Sequence, residues 1–307
     1  MPEINFGVQP TPARSSRHAA GGCVNVIREI IGEAFAIYRR PGYSAVGTVG
    51  TGGHRGAVEA SGVVYIVNAN SLYSMASDYT STFIGNLQTL SGRVSMSWDG
   101  QYLVICDGEY LYTYDSDGDI FARHTSSAIF ANTSHVTFSD GYHFIIDQVT
   151  GQIMTHQDAY DPAGTWNALD FATAEFSPDQ LVTIVADKGA LFMLGEDTTE
   201  PWEYDPTASA LPLTPIRSGY MEMGCAAEWS AVKYDSSVVW LARDNHGQGV
   251  MVKAHGWQPV IISTPDLHAE WANYADITDA FSQVWWYEGH PLLILTFPTD
   301  DKTWVYD

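Results

Sequence analysis

A strongly apolar strand recurs along this chain every 40 to 50 residues, and this repeat constrains the fold more than any other feature of the sequence. The repeated segments are Val63–Val67, Tyr102–Cys106, Tyr142–Ile146, Ala190–Leu194, Ser237–Leu241 and Pro291–Phe297. Their third residues are separated by 39, 40, 48, 47 and 54 positions. A period of roughly 40–50 residues with several short strands in each unit is typical of a β-propeller blade.

The second repeat shows all the strands that one blade needs. Its predicted strands are Arg93–Trp98, Gln101–Cys106, Glu109–Tyr114 and Ile120–His124. Asp-Gly pairs separate the first three strands, and Gly tolerates the positive φ of a tight hairpin turn. We therefore predict an all-β fold, a β-propeller with six four-stranded antiparallel blades; a longer form of the chain could hold seven.

The chain divides into a leader, residues 1–53, and the propeller, residues 54–307. Gln9–Pro12 and the following serines favour an extended start. Residues 24–38 fit either a helix or two short strands, and Gly32 with the β-branched residues favours strands.

The last repeat supplies only three strands before the sequence stops. These are Val284–Tyr287, Pro291–Phe297 and Thr303–Tyr306. Because one blade of a propeller usually takes strands from both chain ends, we expect a leader strand near Ala34–Tyr38 or Tyr43–Val49 to complete this blade and close the ring.

The charge is large, negative and uneven. The net charge is −22, and residues 1–55 hold six arginines against three glutamates, whereas the remaining residues hold 8 basic groups against 33 acids. Neutralising DNA phosphates requires Lys and Arg, so the acidic body argues against binding DNA through its phosphates. High charge also keeps a protein soluble, and this simpler explanation stays open.

The cysteines and the hydropathy point to a protein without disulfides or membrane spans. Cys23, Cys106 and Cys225 are odd in number and far apart, and the last two sit among apolar residues, as buried free thiols do. We expect no secretory leader, because no charged-then-apolar start is present, and no uninterrupted apolar run approaches 18 residues. A soluble protein made in a reducing cytoplasm is expected.

Motifs for phosphate or metal binding are weak. Gly50–Gly56 is glycine-rich but lacks the Lys-Ser/Thr ending of a phosphate-binding loop and precedes a strand, so a turn is favoured. Asp115, Asp117 and Asp119 alternate as in a calcium loop, yet hairpin turns are commonly rich in Asp and Gly. His143, between two aromatic residues, fits a packed strand position better than a metal ligand.

Enzyme signatures are equally weak. No Gly-x-Ser-x-Gly is present, Ala163–Trp166 matches only a fragment of a sialidase box, and Trp98-Asp99 is a single Trp-Asp pair. Glu196 and Asp197 cannot be assigned a glycosidase role without their separation. We therefore predict no catalytic residue, no cofactor site and no metal site.

Short motifs in a fixed order resemble one family, from about Ala34 to Asp307. The family is the packaged-DNA stabilisation or tail-hub (nozzle) proteins of short-tailed phages (podoviruses) and related prophages. The motifs are Arg39–Gly42, Gly92–Met96, His135–Tyr142, Thr165–Glu175, Ser177–Asp179, Thr198–Trp202, Gly224–Ala227, Trp240–Asp244, Ile262–Thr264, Leu295–Thr299 and Thr303–Asp307. Family members continue into further β structure beyond the last of these strands.

The resemblance implies a non-enzymatic virion protein. Such proteins are β-propeller subunits that form a ring, usually a hexamer, beneath the portal and adaptor (head–tail connector) proteins. They extend the tail channel, help to retain packaged DNA, pass it during ejection without sequence-specific binding, and can bear a tail spike or a needle or plug. The resemblance supplies no catalytic residues, and it implies a place in the virion tail after assembly in the host cytoplasm.

Two other classes of function stay open at this point. A soluble propeller that binds or scaffolds cellular partners would differ from a tail protein in its oligomer symmetry. A propeller hydrolase or lyase would need a central pocket lined by acids or histidines, and the repeated catalytic boxes that would favour it are absent from the sequence.

Overall fold

The computed structural model describes residues 26–31, 34–39, 42, 44–126, 128–129, 131–173, 179–208, 211–244 and 246–306. Two strands in the leader, β1 (Val26–Ile31) and β2 (Ala34–Arg39), pair antiparallel with Val26 opposite Arg39. The preference for strands over a helix in this segment is therefore confirmed. The predicted extended start lies outside the described residues.

The following strands form six antiparallel sheets arranged as the blades of a propeller, so the predicted fold is confirmed. Blades 1 to 3 are β3 (His54–Ala60), β4 (Val63–Asn68), β5 (Ser71–Met75), β6 (Ser81–Asn86); β7 (Ser95–Trp98), β8 (Tyr102–Cys106), β9 (Leu111–Asp115), β10 (Ile120–Arg123); and β11 (Thr133–Ser139), β12 (Tyr142–Asp147), β13 (Ile153–His156), β14 (Trp166–Ala172).

Blades 4 and 5 also have four strands, and blade 6 has three. They are β15 (Leu181–Asp187), β16 (Ala190–Gly195), β17 (Thr199–Tyr204), β18 (Leu213–Pro215); β19 (Val232–Tyr234), β20 (Ser237–Arg243), β21 (Gly249–His255), β22 (Gln258–Ile261); and β23 (Phe281–Tyr287), β24 (His290–Phe297), β25 (Lys302–Tyr306). A 3-10 turn, Arg217–Gly219, and one helix, α1 (Pro265–Trp271), lie between blades. The helices in the described part of the chain are all too short or too polar to cross a membrane.

The antiparallel order gives the propeller two distinct faces. The hairpin face carries the turns between first and second strands (61–62, 99–101, 140–141, 188–189, 235–236, 288–289) and between third and fourth strands (76–80, 116–119, 157–165, 205–208, 256–257). The loop face carries the turns between second and third strands and the connections between blades, because these lie at the opposite ends of the same strands.

The recurring apolar segments are the second strands of the six blades. In blades 2 to 5 such a strand has a packed neighbouring blade on each side, so both of its faces are buried and its residues are apolar without alternation. In β8, Leu103 and Ile105 pack toward blade 1, while Val104 and Cys106 pack toward blade 3. All four are fully buried.

Five apolar clusters join successive blades, from blade 1 with blade 2 to blade 5 with blade 6. Trp240, fully buried in β20, belongs to the cluster between blades 4 and 5, and Phe297 in β24 belongs to the cluster between blades 5 and 6. Among the residues that the structure describes, no comparable cluster joins blade 6 to blade 1.

A buried arginine holds blade 1 against the connection to blade 2. Arg55 is 5% exposed, and its Nε donates a hydrogen bond to the Gly92 carbonyl at 2.7 Å. Its Nη1 donates to the carbonyls of Ala69 and Thr89, both at 2.9 Å, and its Nη2 donates to the Thr89 hydroxyl at 2.8 Å. Four N–H donors of Arg55 are thus satisfied by three residues.

The same network reaches a carboxylate in blade 2. The Thr89 hydroxyl donates to Asp107 Oδ2 at 2.7 Å, and the Tyr112 hydroxyl donates to the same oxygen at 2.9 Å. Burial lowers the pKa of Arg55, and the nearby charge of Asp107 opposes that shift. The arginine and the carboxylate are therefore linked through Thr89 rather than by a direct ion pair.

We predict that Arg55→Ala lowers the free energy of unfolding by about 3–5 kcal/mol, because it leaves buried carbonyls without donors and Asp107 without its cation. Urea unfolding followed by circular dichroism measures this change. Arg243→Ala is the matched control, since Arg243 is exposed, and it should change the value by less than about 0.5 kcal/mol. Equal losses in the two variants would contradict the structural role of Arg55.

The chain enters blade 1 along the side that faces away from blade 2. Val49 accepts a hydrogen bond from Asn68 Nδ2, and Gly53 accepts one from the Ala69 amide at 2.8 Å. Gly50 lies against the Tyr73 ring so closely that a Cβ would come within 2.6 Å of it. Residues 49–53 therefore lie on the side of blade 1 that is turned toward blade 6.

The missing fourth strand of blade 6 matches the direction of this leader. A fourth strand runs toward the loop face, where β3 begins, and residues 40–53 can span roughly 45 Å. In the structure β2 pairs with β1, and no described strand pairs with the outer side of β25. Closure of the ring by a leader strand stays a prediction.

Deleting residues 1–42 tests this closure. If β2 completes blade 6, the deletion removes a strand with its apolar contacts and should lower the free energy of unfolding by about 2–4 kcal/mol. Deleting residues 1–22 alone is the control and should leave the urea midpoint unchanged. Identical midpoints for both deletions would show that β2 is not part of the ring.

Candidate functional site

Side chains from four blades meet at the loop-face end of the propeller axis. The Arg93 guanidinium lies 3.6 Å from the centre of the Phe281 ring, and the rings of His135 and Trp229 lie 4.4 Å apart. The Ser282 amide donates to the Trp229 carbonyl at 3.0 Å. We refer to Arg93, His135, Glu228, Trp229 and Phe281 as the axial cluster.

One cation and two carboxylates are coupled within and beside the axial cluster. Burial lowers the pKa of Arg93, and the charges of Asp279 and Glu228 oppose that shift. Burial raises the pKa of Glu228, while the hydrogen bond from Trp229 Nε1 and the charge of Arg93 lower it. Gln148 Nε2 donates to Glu228 Oε2 at 3.1 Å and adds a contact from blade 3. This arrangement fixes the blades to one another across the axis.

A second cluster contains two buried histidines, His143 and His156, and the half-buried His124 at the junction of blades 2 and 3. The His143 amide donates to His156 Nε2 at 2.9 Å, and His156 Nδ1 donates to the Asp158 carbonyl at 2.7 Å. Trp166 packs edge-on against His124 and His156, with ring centres 6.1 and 5.5 Å away. The prediction that His143 is a packed strand residue is confirmed, since it is fully buried in β12.

These histidines are neutral at neutral pH. Burial lowers the pKa of His124 to about 4 and that of His143 to about 3, and in each case the neighbouring His156 lowers it further. Asp99 Oδ2 lies 3.9 Å from His143 Nδ1, which is too long for a hydrogen bond. Burial of the ring outweighs this carboxylate, so the pair is not an ion pair at neutral pH. His135 in the axial cluster is likewise held neutral, with its pKa lowered by burial to about 4.

The alternating aspartates of Asp115–Asp119 accept hydrogen bonds within their own hairpin and its neighbour. Asp115 Oδ1 accepts hydrogen bonds from Gln101 Nε2 and from the Asp117 amide, both at 3.1 Å. Asp119 Oδ1 accepts from the Tyr114 hydroxyl at 3.0 Å. Within the described ranges, no three His, Cys, Asp or Glu residues are grouped as a metal site would need.

The other candidate motifs are also accounted for by local structure. Gly50–Gly56 runs directly into β3, as predicted, and Glu196 and Asp197 lie in the turn between β16 and β17. Trp98 and Asp99 end β7 and begin its hairpin; Asp99 Oδ1 accepts from two turn amides. Ala163–Trp166 leads into β14.

The cysteines are inert in their surroundings. Cys106 and Cys225 are buried free thiols, as predicted, and burial raises the pKa of Cys106 and raises that of Cys225 to about 11. The thiolate is the reactive form, so neither sulfur is a nucleophile at neutral pH. Cys23 lies outside the described residues.

A shallow cleft lies between blades 4 and 5. Tyr220, Met221 and Glu222 line one side, and His255, Trp257 and Pro259 line the other. Ser218 also lines this cleft, and none of the described hydrogen bonds joins it to His255 or Glu222, as a nucleophile–base pair requires.

The sequence did not reveal the axial cluster. Arg93 reads as the start of a strand, and Trp229 as one large aromatic residue among ten tryptophans. Their contacts depend on the ring bringing separate blades together, and a single sequence carries no local signal of that.

The buried histidines predict that stability falls in acid. Their folded pKa values lie below the unfolded value near 6.5, so the unfolded state binds more protons and stability declines as the pH falls from about 6.5 to 4. In that window each such histidine contributes about 1.4 kcal/mol per pH unit. Urea unfolding at several pH values should therefore show a shallower slope for His124→Gln than for the wild type. His246→Gln, at an exposed position, should leave the slope unchanged; a matching decrease there would contradict the assignment.

This chain matches one family of known proteins. The family described as Phage_stabilise, Bacteriophage P22 Gp10, beta-propeller, matches residues 23–307. A search of curated protein sequences found no match.

Solved structures share the propeller architecture at low identity. A catalytically inactive virginiamycin B lyase from Staphylococcus aureus with quinupristin aligns over 93% of this chain and 87% of its own, with a TM-score of 0.52 and 11% identity. The extracellular domain of a two-component-system protein from B. thetaiotaomicron aligns over 88% of this chain and 35% of its own, with a TM-score of 0.52 and 11% identity. At such identity the likeness concerns the fold alone.

The family match extends over nearly the whole chain and includes all six blades. It agrees with the resemblance carried by the ordered sequence motifs. The chain therefore belongs to the phage-stabilisation family of β-propeller proteins and is a structural protein of a phage virion.

Proposed function

We propose that this protein is a hub or nozzle subunit of a short phage tail, which extends the channel below the portal and adaptor proteins and retains packaged DNA until ejection. The single observation that carries the proposal is the family match over residues 23–307. The subunit is assembled in the host cytoplasm and has its final place in the tail.

A non-enzymatic role is supported by the way polar groups are used. Asp107, Asp147 and Asp244 occupy equivalent turns of three blades, and each accepts two backbone amides through Oδ1. The histidines at the centre of the fold are neutral and packed among aromatic rings. Two hydroxyls lie within hydrogen-bonding distance of these histidines, Ser134 beside His135 at 3.2 Å and Thr113 beside His124 at 3.3 Å. Both hydroxyl-bearing residues are buried, so they stabilise the propeller and are not accessible to a substrate.

The charge of the propeller supports the passage of DNA without binding. Residues 56–307 hold 33 acids and 8 basic groups. Carboxylates that face DNA repel its phosphates, so the duplex slides rather than adheres. Because the axial cluster occupies the centre of each propeller, the channel in this proposal lies between subunits.

A channel between subunits requires a closed ring. Head-to-tail contacts between different surfaces of identical subunits close into a ring when the rotation per subunit divides a full turn, and a hexamer is the expected number for this role. The ring contacts the portal and adaptor proteins above it, and a tail spike or a needle or plug protein below it.

The first test is the stoichiometry of the protein in purified particles, measured by quantitative mass spectrometry against the major capsid protein. We expect about six copies per particle, as a single hexameric ring would give. A free monomer in infected cells, with none in particles, would overturn the tail role and favour a soluble scaffold propeller instead.

DNA retention has a separate test. Particles assembled without this protein should package DNA and then lose it, so that nuclease digests the DNA they release. Particles that keep protected DNA in its absence would contradict the retention role and leave the stoichiometry result standing.

A further inference from the structure

The hairpin face presents an exposed aromatic side chain at the third-to-fourth strand position in five of the six blades. These residues are Tyr79 (56% exposed), Tyr160 (61%), Tyr204 (38%), Trp257 (37%) and Tyr306 (44%). Blade 2 has Ile120 at the same place, also 60% exposed. Tyr and Trp are enriched at the centres of protein–protein interfaces, because they combine a large apolar surface with a polar group.

Two of these tyrosines occupy backbone positions that the local structure does not favour for them. Tyr79 has φ 66 and Tyr160 has φ 59, in the left-handed region where Gly is unstrained and bulky residues are uncommon. The turn at Tyr79 does not need its side chain. The Tyr79 amide donates to the Ala76 carbonyl at 2.9 Å, and Asp78 Oδ1 accepts the amide and the hydroxyl of Thr80.

At Tyr79 a large ring in a strained, solvent-facing position gives the fold nothing that a glycine would not. The Tyr160 ring is also 61% exposed, although one side of it contacts Phe138, with the ring centres 6.0 Å apart. Backbone strain of this kind persists where function requires the side chain. The two tyrosines lie on the same face of the propeller, in blades 1 and 3 on either side of blade 2, which favours a common partner over unrelated local causes.

The charge around these rings specifies the chemistry of that partner. The turns of the hairpin face carry the acids Asp78, Asp99, Asp117, Asp119, Asp140, Asp158, Asp161, Asp205, Asp235 and Glu288. In the described part of these turns Lys188 is the only Lys or Arg. Lys253 lies in β21 near these turns, and it forms an ion pair with Asp235 in which Nζ and Oδ2 are 2.6 Å apart. An acidic surface of this kind repels nucleic acid and attracts a basic protein surface.

The loop face differs in its aromatic residues. Trp271 is buried, and Trp229 belongs to the axial cluster. Its large exposed apolar side chains include the aliphatic Leu90 and Val149. The combination of exposed rings, strained tyrosines and nearby carboxylates is therefore particular to the hairpin face.

We propose that the hairpin face docks a protein whose contacting surface is rich in Arg and Lys, with guanidinium groups stacked on Tyr79, Tyr160 and Trp257 and paired with the carboxylates beside them. Guanidinium groups suit such a surface, because they stack on aromatic rings while they bind carboxylates. This inference depends on the proposed function in one respect: the partner is expected to be another protein of the virion.

The test uses the full chain and a fluorescent nona-arginine peptide as the probe. In the variant Tyr79→Gly/Tyr160→Gly the affinity measured by anisotropy should fall about tenfold, since two stacking contacts are lost. The melting temperature of the single variant Tyr79→Gly should not fall, because glycine relieves the left-handed strain there, whereas Tyr160→Gly also removes the ring contact with Phe138. The single variant Tyr79→Gly should itself lower the affinity about threefold, which separates lost binding from lost stability. Asp301→Gly is the matched control, as Asp301 has φ 52 and lies on the loop face, and it should leave the affinity within twofold.

A second measurement, the amount of each variant in purified particles, tests whether the hairpin face is used in the virion. The tyrosine variant should be depleted in particles relative to wild type, while Asp301→Gly is incorporated normally. Normal incorporation of the tyrosine variant, or an equal loss of peptide affinity in both variants, would overturn the proposal. So would a loss of self-association in sedimentation with unchanged peptide affinity, which would identify a second copy of this chain as the occupant. Absence of the wild-type protein from particles would instead reject the hub role.

Discussion

The propeller depends on burying the second strands of blades 2 to 5 on both faces. A strand sandwiched between two blades must present apolar side chains on alternate sides with no gap, and neighbouring blades must then fit to the density of a protein interior. Trp240 faces blade 4 while Val239 and Leu241 face blade 6, and all three are fully buried. This packing brings the first strands together around the axis. It also determines where the hairpin face and the loop face lie.

This packing moves the polar residues to the ends of the strands. A chain with 36 acids can fold around so apolar a centre because its carboxylates occupy turns, where Asp107 and Asp147 satisfy backbone amides that the sheets leave unpaired. Among the polar groups that stay inside, Arg55 forms a network of hydrogen bonds and His143 remains neutral. The electrostatic character of the surface is therefore a consequence of how the interior is built.

Most of the fold could be predicted from the sequence, because strands and hairpin turns each leave a local pattern of residue types. Runs such as Ala190–Leu194 are too apolar for a half-exposed strand, and Asp-Gly pairs at positions 99 and 107 mark tight hairpins. The contact of Arg93 with Phe281 could not be predicted, because it joins distant blades and only ring geometry brings them close. The left-handed backbone of Tyr79 could not be predicted either, although it is a local feature. Gly, Asn and Asp are the residues that indicate a positive φ, and tyrosine is not one of them.

The five apolar clusters have a consequence for how the molecule opens. Among described residues blades 6 and 1 share no such cluster, so these blades each have one well-packed neighbour, while the inner four have two. In a linear array of repeats, end units are the least stable and exchange their amide protons by local fraying. Hydrogen–deuterium exchange should therefore rise from blades 3 and 4 outward to both ends of the array, and a subunit under tension in a particle would part at this junction first.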